Sequence, residues 1–432
     1  MSSLDIRQVN TDHAMQMHPP VAEILRSADA IPRRRRTMRN TSATVKAVVV
    51  ADMLGAPIEA LRAALAITRH EVTGSSNPHR RWPSPNSTGA VEGALISDAG
   101  VAWYDPIDDR FHLPDASSAA DLESPLAMVL VADLESHGER YGALRFSLSA
   151  AELGHAAWTL DAMLRELCPA VRTIERIGTE FDRLFSSTWM LGPVWWMRPT
   201  PPPTRDLIGS IEGESVAPPA FRFGTGEREA ARLEAATREV PTPILDATSN
   251  IDLASLDRCT AGRGYKGFMS APTAPELPEE VLNAASHQWF HPARATLRPV
   301  LLQPGSKTAI SLDENRGTIS IDDLRSLLPI DAAALRLDLL PALVLQIIDS
   351  AGPFDAACIK NASLEAGART QHLSVRMAGD NHFCRPVRSY DAAALEDHID
   401  GLGEHRWIVY LAMVGLTTFQ DLRFSFRNTE VI

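Results

Sequence analysis

Apolar and polar positions fall into blocks that divide this chain into strands, helices and polar connections. The apolar run Leu126-Ala127-Met128-Val129-Leu130-Val131-Ala132, bounded by polar residues, predicts a strand buried on both faces. Ala90–Ile96 and Val101–Tyr104 read as strands separated by a short turn at Ser97–Gly100. A helix begins near Ser149, where Leu153, Ala157, Leu160, Leu164 and Leu167 form one apolar stripe and Glu152 and Glu166 lie away from it. The stretch from Thr44 to Leu65, rich in Ala, Val, Leu and Met, predicts another helix. Residues 1–30 read as a polar arm with a short helical piece near Val21–Ala28, and Arg69 to Asn86 as a polar, turn-rich connection. The later part predicts strands at Thr296–Leu302 and Gly317–Asp322, an apolar run Leu340–Ile348, a helix from about Leu364 and a buried strand Trp407–Val414.

Between about Pro193 and Pro243 the pattern breaks. Pro199, Pro201, Pro202, Pro203, Pro218 and Pro219 favour extended chain, and Gly224 to Glu239 predicts a helix within this connection. Trp189, Trp195 and Trp196 stand beside it; they either pack one half on the other or line a groove. The order of features before the break is repeated after it. Arg35-Arg36-Thr37 matches Arg258-Cys259-Thr260, and Asn86–Val91 falls where Pro292–Leu297 falls. Trp103-Tyr104-Asp105 matches Ser320-Ile321-Asp322, and Ser149–Gly154 matches Asn361–Gly367. Four weak matches in one order read as an internal duplication; the other reading is a single large α/β domain. The duplication gives an arm at 1–30, domains at 31–194 and 246–432, and a proline-rich linker with a helix at 195–245.

Composition narrows the function. A length of 432 residues accommodates two domains, and 45% hydrophobic with 22% charged residues is a globular balance. The net charge of −12 disfavours a general nucleic-acid-binding role. Cys168, Cys259, Cys358 and Cys384 are scattered without a paired motif, so neither a metal site nor a disulfide framework is expected. The polar N-terminus and the lack of a long apolar run predict a cytoplasmic protein without a membrane segment.

The motifs resemble the nitroreductase superfamily, and within it the streptolysin-type azoline dehydrogenases. Arg35-Arg36-Thr37-Met38-Arg39 is similar to the family's opening, and Asn86-Ser87-Thr88-Gly89-Ala90, after Trp82-Pro83-Ser84, to its loop before a strand. Gly100–Asp105 resembles its hairpin. Arg140-Tyr141-Gly142, leading to Glu152-Leu153-Gly154-His155, resembles its Lys-Tyr-Gly element and following helix. The second half is similar more loosely, best at Pro386–Asp391, at Val409–Leu416 and in the basic tail Arg423 to Ile432. The resemblance implies an α+β fold of two tandem domains, each a mixed sheet flanked by helices, forming an intramolecular pseudo-dimer. It also implies FMN as cofactor.

Arg35, Arg36 and Arg39 offer planar donors that match a flavin phosphate, and Thr37 adds a hydroxyl; otherwise they form a solvated basic arm. Arg423 and Arg427 either complete that site or are solvated tail charges. Ser87, Thr88 and Gly89 either contact the flavin ring or make an ordinary turn. Arg140-Tyr141 stands where the family has a catalytic Lys-Tyr pair. Arginine keeps its charge, so Arg140 can stabilise charge but not act as a base, which leaves Tyr141 for that part; the alternative is a structural pair. His155 reads as a hydrogen-bonded surface residue rather than a catalyst, and with Ala368 as its second-half equivalent any catalytic role would be confined to one site. In the second half Ala293, Arg294 and Ala295 replace the Ser/Gly loop, so one competent site or none is expected.

The expected function is an FMN-dependent oxidoreductase of natural-product biosynthesis that dehydrogenates azolines in a ribosomal peptide. Its expected partners are that peptide or a small substrate, and the partner enzymes of a biosynthetic complex. A catalytically silent scaffold of the same fold is the other reading, and a generic nitro- or quinone-reductase is less favoured.

Overall fold

The computed structural model describes residues 45–49, 55–72, 76–85, 89–97, 100–106, 109–114, 125–137, 141–142, 144–174, 185, 189–198, 225–238, 240, 243–246, 255–256, 277–291, 293, 296–304, 310–311, 316–320, 322–323, 326, 342–349, 354–378, 382–387, 390, 395–397, 399–400, 406–416 and 423–425. The first half runs β1 (Val45–Val49), α1 (Ala56–Leu65), β2 (Arg69–Val72), β3 (Ser76–His79), β4 (Val91–Ser97), β5 (Gly100–Asp105), β6 (Arg110–Pro114), β7 (Ala127–Asp133), α2 (Leu144–Leu167), β8 (Arg172–Ile174) and β9 (Trp189–Trp196). Then come α3 (Thr225–Thr237), β10 (Ile244–Leu245), α4 (Leu277–Ser286), β11 (Phe290–His291), β12 (Thr296–Pro304), β13 (Ile310–Ser311) and β14 (Arg316–Ile319). The chain closes with β15 (Ala342–Asp349), α5 (Ala356–Ala378), β16 (His382–Val387), β17 (Ile399–Asp400), β18 (Arg406–Leu416) and β19 (Arg423–Ser425).

Each long apolar run becomes an inner strand, because only a strand covered on both faces hides every side chain. β7 lies in a seven-stranded sheet ordered β1-β6-β5-β4-β7-β9-β8, and β15 in a five-stranded sheet ordered β14-β12-β15-β18-β16. The order β4-β7-β9-β8 reappears as β12-β15-β18-β16, antiparallel throughout. Helix α2 packs on the first sheet, α5 on the second, and the two helices on each other. The result is a sheet–helix–helix–sheet stack. Its largest core joins residues of both halves, from Leu61, Met128 and Leu153 to Trp289, Leu364 and Val375.

The helices meet backbone to backbone. A Cβ on Gly154 would stand 2.0 Å from the Leu364 carbonyl oxygen, and one on Gly367 would stand 2.1 Å from that of Ala151. Only glycine allows this approach.

Several sequence expectations need correction. Thr44–Leu65 is not one helix: the β-branched stretch at β1 pairs antiparallel with β6, and the helix starts only at Ala56, where Pro57 pre-sets the first turn. The turn-rich stretch Arg69–Asn86 holds the hairpin β2–β3. Gly317–Asp322 is not the counterpart of the β4–β5 hairpin, since β14 ends at Ile319 and pairs parallel with β12. Helix α2 carries no solvent face over most of its length; Glu152 and His155 are both buried, because a second helix covers the side away from the sheet.

Pro193 lies inside β9 rather than opening a linker. It lacks an N–H, and the β7–β9 register slips there, with Gly192 and Pro193 facing Leu130. Trp195 and Trp196 are therefore strand residues on opposite faces of the first sheet. The Trp195 indole donates to Asp161 Oδ1 at 3.0 Å, which removes it from any groove. Helix α3 is packed against both long helices. Its buried Glu234 takes the Lys360 ammonium at 2.9 Å and the Leu191 amide at 3.3 Å. Val21–Ala28, Arg258–Thr260, Ala295 and the proline-rich stretch 199–219 lie outside the described residues. Among the described residues no helix is long and apolar enough to cross a membrane.

Candidate functional site

Four stretches distant in sequence converge at one end of the first sheet. β4 begins and β7 ends there: Val91 pairs with Ala132, and the Asp133 amide donates to the Ala90 carbonyl at 3.0 Å. The loop leading into β4 and the turn leaving β7 are therefore neighbours. The same loop follows β3, which pairs with β2, which in turn pairs with β19 from the far end of the chain, Arg423 opposite Glu71. The tail of the second half thus joins a sheet of the first.

The loop is fastened at several points. Arg80 donates to the Val91 carbonyl and stacks over the Trp82 ring at 5.4 Å. Arg81 donates to the Ala63 carbonyl at the end of α1. Gly89 has a φ of 56°, in the left-handed region where a side chain is strained. Its amide donates to Ser84 Oγ at 2.7 Å, which closes the turn.

A buried relay joins this loop to both long helices. Gln371 Nε2 on α5 donates to the Arg81 carbonyl at 3.0 Å. That carbonyl accepts only, so the Gln371 oxygen must face the other way, toward His155 Nδ1 at 3.1 Å. His155 Nδ1 then carries the proton and donates it, and Nε2 accepts from the Tyr410 hydroxyl at 3.2 Å. Burial pushes the His155 imidazole down to about 3, so it stays neutral. His155 is thus a linker between the halves and not a surface residue.

The turn after β7 carries a second cluster. Tyr141 is half-buried, and its ring meets the His137 ring edge-on at 6.0 Å between centroids. Behind it, His137 Nε2 stands 3.8 Å from Glu152 Oε2 on α2, and both side chains are buried. Asp133 fastens the start of this turn, accepting the Glu135 amide at 3.0 Å and the Ser136 hydroxyl at 2.7 Å.

Of the residues that the sequence singles out, Gly89 and Tyr141 come to the same end of the sheet, and the backbone of Arg423 joins β2. Arg35, Arg36, Thr37, Arg39, Ser87, Thr88, Arg140 and Arg427 lie outside the described residues. His137 and Gln371 were not visible from motifs. One signal was available: Glu152, His155 and Thr159 make a polar stripe at helical spacing, and such a stripe on an otherwise apolar helix faces protein.

No family model and no curated protein matches the sequence. Solved structures do. A nitroreductase from Anabaena variabilis superposes with a TM-score of 0.52 at 11% identity, covering 90% of this chain and 99% of its own. A nitroreductase-like protein from Bacillus cereus covers 43% of this chain and 99% of its own, at 14% identity and a TM-score of 0.30. A nitroreductase family protein from Clostridium difficile covers 40% and 88%, at 12% identity and a TM-score of 0.27. The Anabaena likeness, running over nearly all of both chains, shows a nitroreductase-like fold here.

Proposed function

We propose that this protein is an FMN-dependent oxidoreductase of natural-product biosynthesis that dehydrogenates azoline rings in a ribosomal peptide. The observation that carries this reading is the convergence of the Gly89 loop, the Tyr141 turn and the tail strand β19 at one end of the first sheet. Those are the segments whose motifs resemble the azoline dehydrogenases. The matching strand orders and the reciprocal glycine contacts support a duplicated chain acting as its own dimer.

The residues present fit a flat, anionic cofactor. Gly89 presents backbone without a side chain in a turn that Ser84 holds shut, so a planar ring can lie close to it. Ser87 and Thr88, which precede Gly89 in the sequence, would offer hydroxyls to the ring. Arg35, Arg36, Thr37 and Arg39, with Arg423 and Arg427 from the tail, would hold the phosphate. Bound FMN would supply the acceptor for the two electrons and one proton that leave an azoline as hydride.

The chain's own residues have the remaining tasks. The second proton needs an acceptor, and Tyr141, half-buried at this end of the sheet with His137 and Glu152 nearby, would take it as its phenolate and so return to the phenol. Arg140 would steady negative charge as that proton leaves. Gln371 and His155 keep the loop in place from the second half.

The test is a synthetic azoline-containing peptide incubated in air with the purified chain and FMN, dioxygen reoxidising the flavin. Loss of two hydrogens from the peptide, read by mass spectrometry and strongly reduced in Tyr141→Phe, is the expected result. An unchanged peptide refutes the azoline reading. A silent scaffold is the competing function, favoured by arginine at position 140 in place of lysine; it predicts no flavin uptake.

A further inference from the structure

Helices α2 and α5 meet in a reciprocal way. Gly154 lies on Leu364 and Ala368, and Gly367 lies on Ala151, so each glycine faces the residue three places before the other. This crossing pairs Gly154 with Gly367, and therefore Glu152 with Glu365, Ala156 with Arg369 and Trp158 with Gln371. The loops pair as well. Trp82 precedes β4 and Trp289 precedes β12, two strands in the same place in their sheets. Each helix reaches across to the opposite loop: Gln371 to the Arg81 carbonyl at 3.0 Å, and the Trp158 ring to that of Trp289 at 5.9 Å.

The two loops then diverge. In the second half the Glu365 carboxylate accepts the Trp289 amide at 3.0 and 3.1 Å and the Phe290 amide at 2.9 Å. Arg369 Nε closes on that carboxylate at 2.6 Å. Its other nitrogens donate to the carbonyls of Ala285 at 3.3 Å and Leu297 at 2.9 Å, and to Gln288 Oε1 at 2.8 Å. Both charged side chains are buried. Two backbone amides of this loop, those of Trp289 and Phe290, are thus taken by the protein, and one guanidinium ties both ends of the loop to α5. In the first half Ala156 stands where Arg369 would be, so α2 supplies no guanidinium at that position, and Glu152 Oε2 stands 3.8 Å from His137 Nε2.

We propose that the chain carries one working flavin site, at the end of the first sheet marked by Gly89, and that Glu365 and Arg369 hold closed the Trp289–Phe290 stretch at the start of the matching loop before β12. The second half serves the working site from outside, through Gln371. This inference rests on the flavin reading above.

Two measurements on the full chain test it. In the first, FMN is titrated and hydrogen exchange followed by mass spectrometry with and without it. The inference predicts one FMN per chain, with new protection in peptides spanning 80–90 and none in those spanning 285–297. Two FMN per chain, or protection in the second region, overturns the inference and leaves the flavin reading standing. No uptake overturns the flavin reading, and the one-site inference with it.

The second measurement needs no flavin. Arg369→Ala, which copies Ala156, should speed exchange of the Trp289 and Phe290 amides by at least about tenfold, the worth of a charge-assisted hydrogen bond. Unchanged exchange overturns the clamp. Should that variant not fold, Gln371→Ala gives an independent reading. It should weaken FMN binding by about fivefold, as expected for one lost hydrogen bond, although it lies in the half that holds no flavin. Unchanged affinity contradicts the crossing support.

Discussion

Replacing Gly154 by alanine adds one methyl group where the two long helices touch. That carbon would sit 2.0 Å from the Leu364 carbonyl oxygen and 2.8 Å from its carbon, whereas real Cβ contacts essentially never fall under 3.0 Å. The contact is backbone on both sides, so no side chain can swing away. The helices must separate by about 1 Å, a gap that forfeits a quarter to a half of each van der Waals contact along the interface. Overpacking of this kind costs about 1–3 kcal/mol, against which alanine's helix propensity returns ~1 kcal/mol. The neighbouring His155–Gln371 bond, 3.1 Å long, is strained by the same movement and adds about 1 kcal/mol. We expect Gly154→Ala to lose about 2 kcal/mol net, and Gly367→Ala a similar amount. Because one separation relieves both clashes, the double variant should lose clearly less than the sum. Urea unfolding followed by circular dichroism reads all three, with Gly142→Ala as a control: nothing lies within 4 Å of a Cβ there, and only the φ of +48° is strained. Wild-type midpoints for both single variants, or strict additivity of the pair, would refute the close reciprocal crossing.

Three further outcomes follow from buried charge. His155 is held near 3, against an ordinary imidazole value near 6.5 in the unfolded chain. Between those values only the unfolded state binds the proton, so stability is full above about pH 6.5 and falls by ~1.4 kcal/mol per unit below it. His372, pushed down to about 4 first by burial, acts in the same direction. His155→Gln should therefore flatten, but not abolish, the acid slope in urea midpoints measured from pH 7 to 4; an unchanged slope would place the titration elsewhere. Lys360→Ala leaves Glu234 buried without its cation and should cost about 3–5 kcal/mol, whereas Glu234→Gln with Lys360→Met should recover most of it; equal losses in both would refute the pairing. The Tyr104 phenol is held far above its ordinary range, first by burial and then by Asp109, whose carboxylate accepts its hydroxyl at 2.8 Å. Asp109→Asn should move its ionisation to lower pH in an ultraviolet titration, and an unmoved curve would remove Asp109 as a cause.

The parts of the fold that the sequence revealed are those whose signal is local. The runs at β7 and β15 are apolar throughout because both faces of an inner strand are covered. Gly154 and Gly367 end one of the four weak sequence matches, and they mark the crossing of α2 and α5. What was missed depends on partners far away in the chain. β2 looks like loop because one of its neighbours is β19, supplied by the tail. β1 was hidden in a helix-forming composition and is fixed by β6. His155 looked exposed because α2 alone has an apparent polar face; that face becomes interior only when α5 lies on it. Pro193 looked like a breaker because a bulge that excuses its missing N–H cannot be read from one strand. At the candidate site the sequence pointed to Gly89 and Tyr141, and the fold adds His137, Glu152 and Gln371.

The central claim is that the chain holds a flavin at the end of its first sheet. The absorbance spectrum of the purified protein after FMN addition and gel filtration, with the released flavin quantified against protein, tests this most directly. A yellow protein retaining one FMN per chain, and losing it in Arg36→Ala, is the predicted result. A colourless protein that retains no added FMN would contradict the account.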